Sequence, residues 1–286
     1  MLCEVRTFLS LAGAVTRPTP GSVWHCVECV DLSALSTAKF ISLRKNCSEI
    51  NPGNFVPPGQ SANKLSHSIR SSATIKQLQV VHLGRISYQD AVQKQLEVLA
   101  QVQEGTTEDT LLLLEHDPVL TLGASFHAEN LLHPRGWYSN QGIEIVETDR
   151  GGDITYHGPG QLVVYPIFDV AKHGKDLHRW MRDLEQTVID ALREFDLTGE
   201  RLDVNSGVWI NQKKVCAIGI KIKRWVSMHG IAINCNVDLA PFSTIVPCGI
   251  RSHGVTSISQ ELGRIVTVED FAPALIQGFK TVFPSA

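Results

Sequence analysis

The sequence predicts an α/β protein of the α+β kind, a mixed β-sheet flanked by helices. Three observations predict it. Segments with helical spacing of apolar residues are interspersed with short apolar runs. Two strand-like runs, Gly207–Ile210 and Lys214–Ile222, follow each other at hairpin distance, which a strictly doubly wound parallel fold does not contain. At 43% hydrophobic and 19% charged residues, the 286-residue chain also carries enough apolar side chains for a sizeable core.

Residues 1–75 stand apart. They carry seven Lys/Arg and four Asp/Glu, a net of +3 against −6 for the remainder, and sixteen Ser/Thr with little periodicity. An acid-poor, Ser-rich, Arg-containing segment reads either as an organelle transit peptide or as a disordered tail. Cys26 and Cys29 have CxxC spacing, but no second CxxC completes a zinc site and no βαβ pattern surrounds them, so the spacing reads as coincidence. The chain divides into this extension and one globular domain, residues 76–286.

In the domain, Gln77–His82 reads as a strand. Ser87 is placed to cap a helix in which Tyr88, Ala91, Val92, Leu96, Leu99 and Val102 recur at helical spacing, and Gly105 ends it. Leu111–Leu114 is wholly apolar, as a strand buried on both faces requires. Ile143–Glu147 and Leu162–Ile167 are further strands. Leu177, Trp180, Met181, Leu184, Val188, Ala191, Leu192 and Phe195 mark a long amphipathic helix. Asn211-Gln212-Lys213 joins the hairpin without the usual Asn-Gly signal. Gly230–Val237 is the next strand, and Thr267 with Asp270 caps a last helix, in which Pro273 is tolerable only near the start.

Charge and cysteine usage narrow the function. A net charge of −3 gives no whole-molecule case for nucleic acid or a membrane surface. No stretch approaches the ~20 apolar residues of a membrane helix. Seven scattered cysteines argue for reduced thiols in a cytosol-like compartment.

The densest chemical segment is Arg150-Gly151-Gly152-Asp153-Ile154-Thr155-Tyr156-His157, continuing Gly158-Pro159-Gly160-Gln161. Its glycines allow a backbone to approach a ligand closely. They match neither GxGxxG nor the Walker spacing, and a tight strand connection with a structural His157 explains them equally. Cys248 lies between Pro247 and Gly249, a corner that suits a nucleophile, although a buried core thiol is the ordinary state of a lone cysteine. Cys216 and Cys235 fit that ordinary state inside strand patterns. A thiol of pKa near 8.5 needs help at neutral pH, from His157, His229, His253 or a lysine. Lys214 abuts the apolar run Val215–Ile220, so of the adjacent Lys213 and Lys214 it is better placed to be held partly buried. Two lysines at a hairpin tip are otherwise a solvated face.

Taken together, Arg150–Gln161 with Leu162-Val163-Val164-Tyr165-Pro166, Lys214-Val215-Cys216-Ala217-Ile218-Gly219 and Val246-Pro247-Cys248-Gly249-Ile250 resemble the octanoyltransferase family of lipoate biosynthesis. Leu114–Val119 and Leu122-Gly123 agree with it, and the similarity runs from about Gln77 to Phe283. The resemblance implies a fold similar to the lipoate/biotin protein ligase catalytic domain. It implies that octanoyl-acyl carrier protein acylates Cys248 and that Lys214 favours the Cys248 thiolate. The acyl group then passes to a lysine of a lipoyl domain, in the E2 component of 2-oxo acid dehydrogenases or the glycine cleavage H protein. It further implies that Arg150, Gly151, Gly152, Asp153, Ile154, Thr155, Tyr156, His157, Ala217, Ile218, Gly219, Gly230, Ile231 and Ala232 contact the substrate. It calls for no cofactor and no metal, and for neither nucleic acid nor membrane.

Physical chemistry fits these expectations. Thioester exchange is nearly isoenergetic, and the later amide is more stable than the thioester. Amides near Cys248 and Gly249 are candidate oxyanion donors, and Val215, Ile218 and Ile231 are candidate linings of an apolar acyl slot. Lys221, Lys223 and Arg224 form a basic cluster suited to an acidic carrier protein. The compartment is the cytoplasm, or a chloroplast or mitochondrion if residues 1–75 are a transit peptide. An ATP-dependent lipoate or biotin ligase, a hydrolase using Cys248 and His157, and a non-catalytic acyl-binding module are the competing readings.

Overall fold

A computed structural model describes residues 78–250 and 253–284. The extension of residues 1–75 and its Cys26–Cys29 pair lie outside the described residues.

The main sheet has seven strands: β1 (Gln79–Ile86), β2 (Thr110–His116), β6 (Gln161–Ile167), β7 (Glu200–Leu202), β8 (Asn205–Ile210), β9 (Lys213–Lys223) and β10 (Val226–Asn234). Their spatial order is β1-β2-β6-β10-β9-β8-β7. Only β1 and β2 pair in parallel, across helix α1 (Tyr88–Glu104); every other pair is antiparallel. The sheet is therefore mixed, as the local hairpins predict. β6 and β10 are buried along their whole length and β2 nearly so.

Helices cover both faces. The face carrying Leu112, Leu114, Val163, Tyr165 and Ala232 packs on α1 through Ala91, Val98, Leu99 and Val102. The opposite face, with Leu111, Leu113, Val164, Ile231 and Ile233, packs on α3 (Leu177–Arg193) and α5 (Val268–Val282). Alternation along each strand produces this division, and each buried aliphatic side chain contributes about 1.5–3 kcal/mol. The caps are as expected: Ser87 accepts from the Asp90 amide, Gly105 ends α1 in the left-handed region, and Thr267 and Asp270 form a reciprocal capping box. Pro273 nevertheless lies inside α5, beyond its first turn.

A second sheet was legible in sequence only at one strand, the expected Ile143–Glu147. Strands β3 (Val119–Leu122), β4 (Glu144–Glu147) and β5 (Ile154–His157) order as β4-β3-β5. They pack with α2 (Arg135–Asn140), Phe242 and Ile245. The glycines around β5 hid a four-residue strand with no exposed face. The tips of the β8–β9 and β9–β10 hairpins use two consecutive left-handed residues, Asn211 and Gln212, then Arg224 and Trp225, with no glycine in either. That combination suits the twist of a two-residue hairpin. It lets β10 begin at Val226 instead of Gly230. The short helix α4 (Ile258–Leu262) completes the domain.

Candidate active site

Lys214 and Cys248 are supplied by separate elements, a strand and a turn. Lys214 is the second residue of β9 and lies opposite Trp209 of β8, where a bulge shifts the register. Its backbone is held on the other side by Gly254 and Thr256. Period-two alternation turns Lys213 to solvent and Lys214 inward, where it is 6% exposed. The solvated-face reading therefore holds for Lys213 alone. Cys248 sits in the 3-10 turn Pro247–Gly249 with φ 55° and ψ 20°, a left-handed conformation uncommon outside glycine. The Val246 amide donates to the Asn130 carbonyl, which anchors this turn.

Lys214 Nζ stands 3.6 Å from Cys248 Sγ and donates to the Ser206 carbonyl at 3.2 Å. It also lies 4.7 Å from the centre of the Trp209 ring. An ammonium has three donors and here meets a carbonyl, a thiol and a π face. The buried guanidinium of Arg150 is also within electrostatic reach of Cys248. The other described thiols are unsuited to nucleophilic chemistry: burial pushes Cys216 far up and Cys235 up to about 12.

Beside the pair lies a cavity of about 50 Å³. Cys248 borders it with Arg150, Gly151, Gly152, Asp153, Thr155, His157, Ala217, Ile218, Gly219, Gly230, Ile231 and Ala232, so twelve of the fourteen residues expected at the substrate meet there. Ile154 and Tyr156 do not border it. On β5 they point the other way, into the small core with Leu120 and Tyr138. Alternation also corrects the expected acyl slot. Val215 is buried in the α3–α5 core, and the side chains of Ile218 and Ile231 pack with that core although the residues border the cavity. Ala217 and Ala232, which pair across β9 and β10, present small side chains on the cavity face.

Several expected substrate contacts are engaged with the protein itself. Arg150 donates to Thr121 Oγ1 and to the carbonyls of Thr121, Gly151 and Asp153. Asp153 accepts from Asn130, the His127 ring and the amides of Ile154 and His127. Gly123 fits against this loop because a Cβ there would stand 2.2 Å from the Gly152 oxygen. The glycines thus allow two loops to lie against each other at the edge of the cavity.

His157 is buried. Its Nδ1 lies 2.7 Å from Gln161 Oε1 and its Nε2 3.3 Å from Thr121 Oγ1. Gln161 Nε2 donates to Asn234 Oδ1, which fixes Oε1 as the acceptor and places the imidazole proton on Nδ1. Burial lowers His157 to about 3 and His116 to about 4, so both rings are neutral. With both ring nitrogens engaged, His157 lacks the free base position that a Cys/His hydrolase requires. Gly249 donates its amide to the Val246 carbonyl, which removes it as an oxyanion donor.

His229, with left-handed φ 57°, places Nε2 2.8 Å from Asp149 Oδ1. That bond, with Lys221 at 2.8 Å, holds Asp149 well below the usual carboxylate range. Lys223 is 3.8 Å from the same carboxylate and Arg224 bonds Gln103, so the basic cluster is partly neutralised at its base. His229 and Tyr88 also border an adjoining open cleft of about 560 Å³, with Val92, Leu96, Val146 and Met228. His253 packs edge-on to Trp209 at 5.5 Å. Sequence reasoning missed Thr121, Asn130, Ser206 and Gly207, which carry no chemical signature alone. Gln161 was visible, but only as the end of the glycine motif.

Residues 87–280 match the model of the lipoyl protein ligase A/B catalytic domain. The octanoyltransferase of Roseiflexus sp. (strain RS-1) is 45% identical over 212 residues, covering 73% of this chain and 88% of that protein. That of Chloroflexus aggregans is 42% identical over 212 residues, covering 73% and 96%. Among solved structures, the bi-partite lipoate protein ligase of Thermoplasma acidophilum superimposes with a TM-score of 0.55 at 18% identity, over 71% of this chain and 82% of that one. LipL1 of P. falciparum in complex with lipoate gives 0.57 at 14% identity, over 72% and 62%. At these identities the structural likeness speaks for the fold.

Proposed function

The chain belongs to the octanoyltransferase family and is an acyltransferase of lipoate biosynthesis; we propose that it works through an octanoyl thioester on Cys248, with Lys214 as the proton carrier. The observation that supports this most directly is the 3.6 Å approach of a buried ammonium to a thiol at the edge of a cavity.

In the first half-reaction, Cys248 Sγ, as thiolate, attacks the thioester carbonyl of octanoyl-acyl carrier protein. The new C–S bond forms, the bond to the carrier sulfur breaks, and the departing thiolate takes a proton from the Lys214 ammonium. In the second, the neutral amine of a lipoyl-domain lysine attacks the acyl-enzyme. The C–N bond forms, the C–S bond to Cys248 breaks, and the amine proton passes to the now neutral Lys214. The ammonium–thiolate pair is restored, and nothing else is consumed. The acceptors are lipoyl domains of 2-oxo acid dehydrogenase E2 components and the glycine cleavage H protein.

The 50 Å³ cavity has room for roughly three to five waters, fewer heavy atoms than an eight-carbon chain. We place the acyl tail past Tyr88 and His229, in the adjoining apolar cleft. Arg150, Asp153 and His157 act by holding the loop that borders the reacting carbonyl. The site of action is the cytoplasm, or an organelle if residues 1–75 direct import; a fluorescent protein fused to those residues distinguishes the two. Among the described residues, no helix is long and apolar enough to cross a membrane.

The direct test is an intact-mass spectrum after mixing with octanoyl-acyl carrier protein. The expected result is a gain of one octanoyl group, absent in Cys248→Ser and discharged by a lipoyl domain. Transfer from free octanoate with ATP, without a covalent enzyme intermediate, would instead identify a ligase.

A further inference from the structure

One peptide group stands between the ammonium of Lys214 and a buried carboxylate. It joins Ser206 to Gly207. The Ser206 carbonyl accepts from Lys214 Nζ at 3.2 Å, and the Gly207 amide donates to Glu185 Oε1 at 3.1 Å. In a planar trans peptide the C=O and N–H point in opposite directions. Glu185 therefore grips one side of the unit and Lys214 the other.

Glu185 lies on α3, is 2% exposed, and does not border the cavity. Its Oε2 is held by Arg182 at 3.0 Å and Arg201 at 2.9 Å, which leaves Oε1 directed at Gly207. Gly207 has φ 138°, open essentially to glycine alone. A Cβ there would stand 2.5 Å from the Cys216 oxygen, 3.3 Å from Lys214 Cε and 3.5 Å from Nζ. A side chain here would collide with the Cys216 backbone and crowd the end of the lysine.

Resting on the Cys248–Lys214 reading above, we infer that Glu185 is a positioning residue for the pair: through the Ser206–Gly207 peptide it orients and polarises the carbonyl that holds the Lys214 ammonium against Cys248. A hydrogen bond to a carboxylate is about twice as strong as a neutral one. Bonds in a chain strengthen one another, so a carboxylate pulling on the N–H makes the carbonyl of the same unit a better acceptor. Without it, the peptide plane is free to turn and the ammonium loses its fixed partner. A carboxylate that served only to pack α3 on β8 would affect stability and leave the thiol unchanged.

The experiment compares full-length wild type with Glu185→Leu, Glu185→Gln and Gly207→Ala, each also in a Lys214→Ala background. Iodoacetamide labelling of Cys248 is followed against pH by peptide-resolved mass spectrometry, with thermal melts in parallel. Glu185→Leu should raise the labelling midpoint by about half to one pH unit, a three- to tenfold fall in rate at pH 7. Glu185→Gln keeps an oxygen acceptor and should shift it less, and Gly207→Ala should move it upward as well. In the Lys214→Ala background the Glu185 changes should add nothing. If Glu185→Leu does not fold, Glu185→Gln decides. A wild-type midpoint in the deciding variant overturns the inference, as does an equal shift with and without Lys214. If Lys214→Ala alone leaves the midpoint in place, the lysine–thiol reading has failed and takes this inference with it.

Discussion

Replacing Lys214 by alanine removes a cation whose nitrogen stands 3.6 Å from Cys248 Sγ. Unit charges at that separation attract by about 1 kcal/mol at the dielectric of water and about 5 kcal/mol at an effective value near 20. Lys214 is 6% exposed and Cys248 only partly covered, so the pair lies between these limits. At about 1.4 kcal/mol per pH unit, the alkylation midpoint of Cys248 should rise by about one to three units. Labelling at pH 7 should then fall by about tenfold or more, with Arg150 limiting the loss because it stays within electrostatic reach. Lys214→Arg separates the two roles. It keeps the positive charge, so the midpoint should stay near wild type, but guanidinium does not give up a proton near neutrality. Acyl-enzyme formation should survive better than delivery to the lipoyl domain. The assay is labelling against pH in the three proteins, paired with single-turnover intact-mass measurements of both half-reactions. An identical midpoint with and without Lys214, in folded protein, would refute the electrostatic argument.

Three further expectations concern other parts of the molecule. Ala217→Leu extends a side chain into the cavity beside Cys248, so acyl-enzyme formation from an octanoyl donor should fall more than from an acetyl donor; equal losses would show that the acyl chain does not pass there. His116 and His157 are lowered to about 4 and about 3, whereas an unfolded chain binds the proton near pH 6.5. The unfolded state therefore takes up more protons below about pH 6.5, so stability should be complete above that value and lost as pH falls toward 4; urea midpoints unchanged from pH 7 to 4.5 would contradict this. A chain beginning at Thr74 should keep the full transfer rate, and a large loss in a folded protein would give residues 1–75 a catalytic role.

Much of the architecture was legible because it is local. Ser87, Gly105, Thr267 and Asp270 set helix ends through contacts within a few residues, and the apolar run Leu111–Leu114 declared a strand buried on both faces. Of the second sheet only β4 was legible: β3 and β5 are four residues each, and their pairings join distant positions, Val119 to Glu144 and to His157. The left-handed turn at Arg224 and Trp225 lacked the residues that usually announce it.

The same boundary runs through the site. Blocks in the right order pointed to Cys248, Lys214 and the glycine-rich segment, because a motif is carried by residue type and spacing. Sequence alone therefore determined the family and the fold class, and it singled out the two side chains proposed to react. Only the tertiary structure decided which side chains face the cavity. Alternation sent Ile154, Tyr156 and Val215 into cores and left Ala217 and Ala232 at the cavity. It also decided that Arg150 and Asp153 brace a loop, and that Glu185, 29 positions before Lys214 and on another element, grips the peptide beneath it. A side chain's direction depends on strand phase, bulges and the partners that remain once backbone groups are paired. Those quantities arise when distant segments meet, so no single segment encodes them.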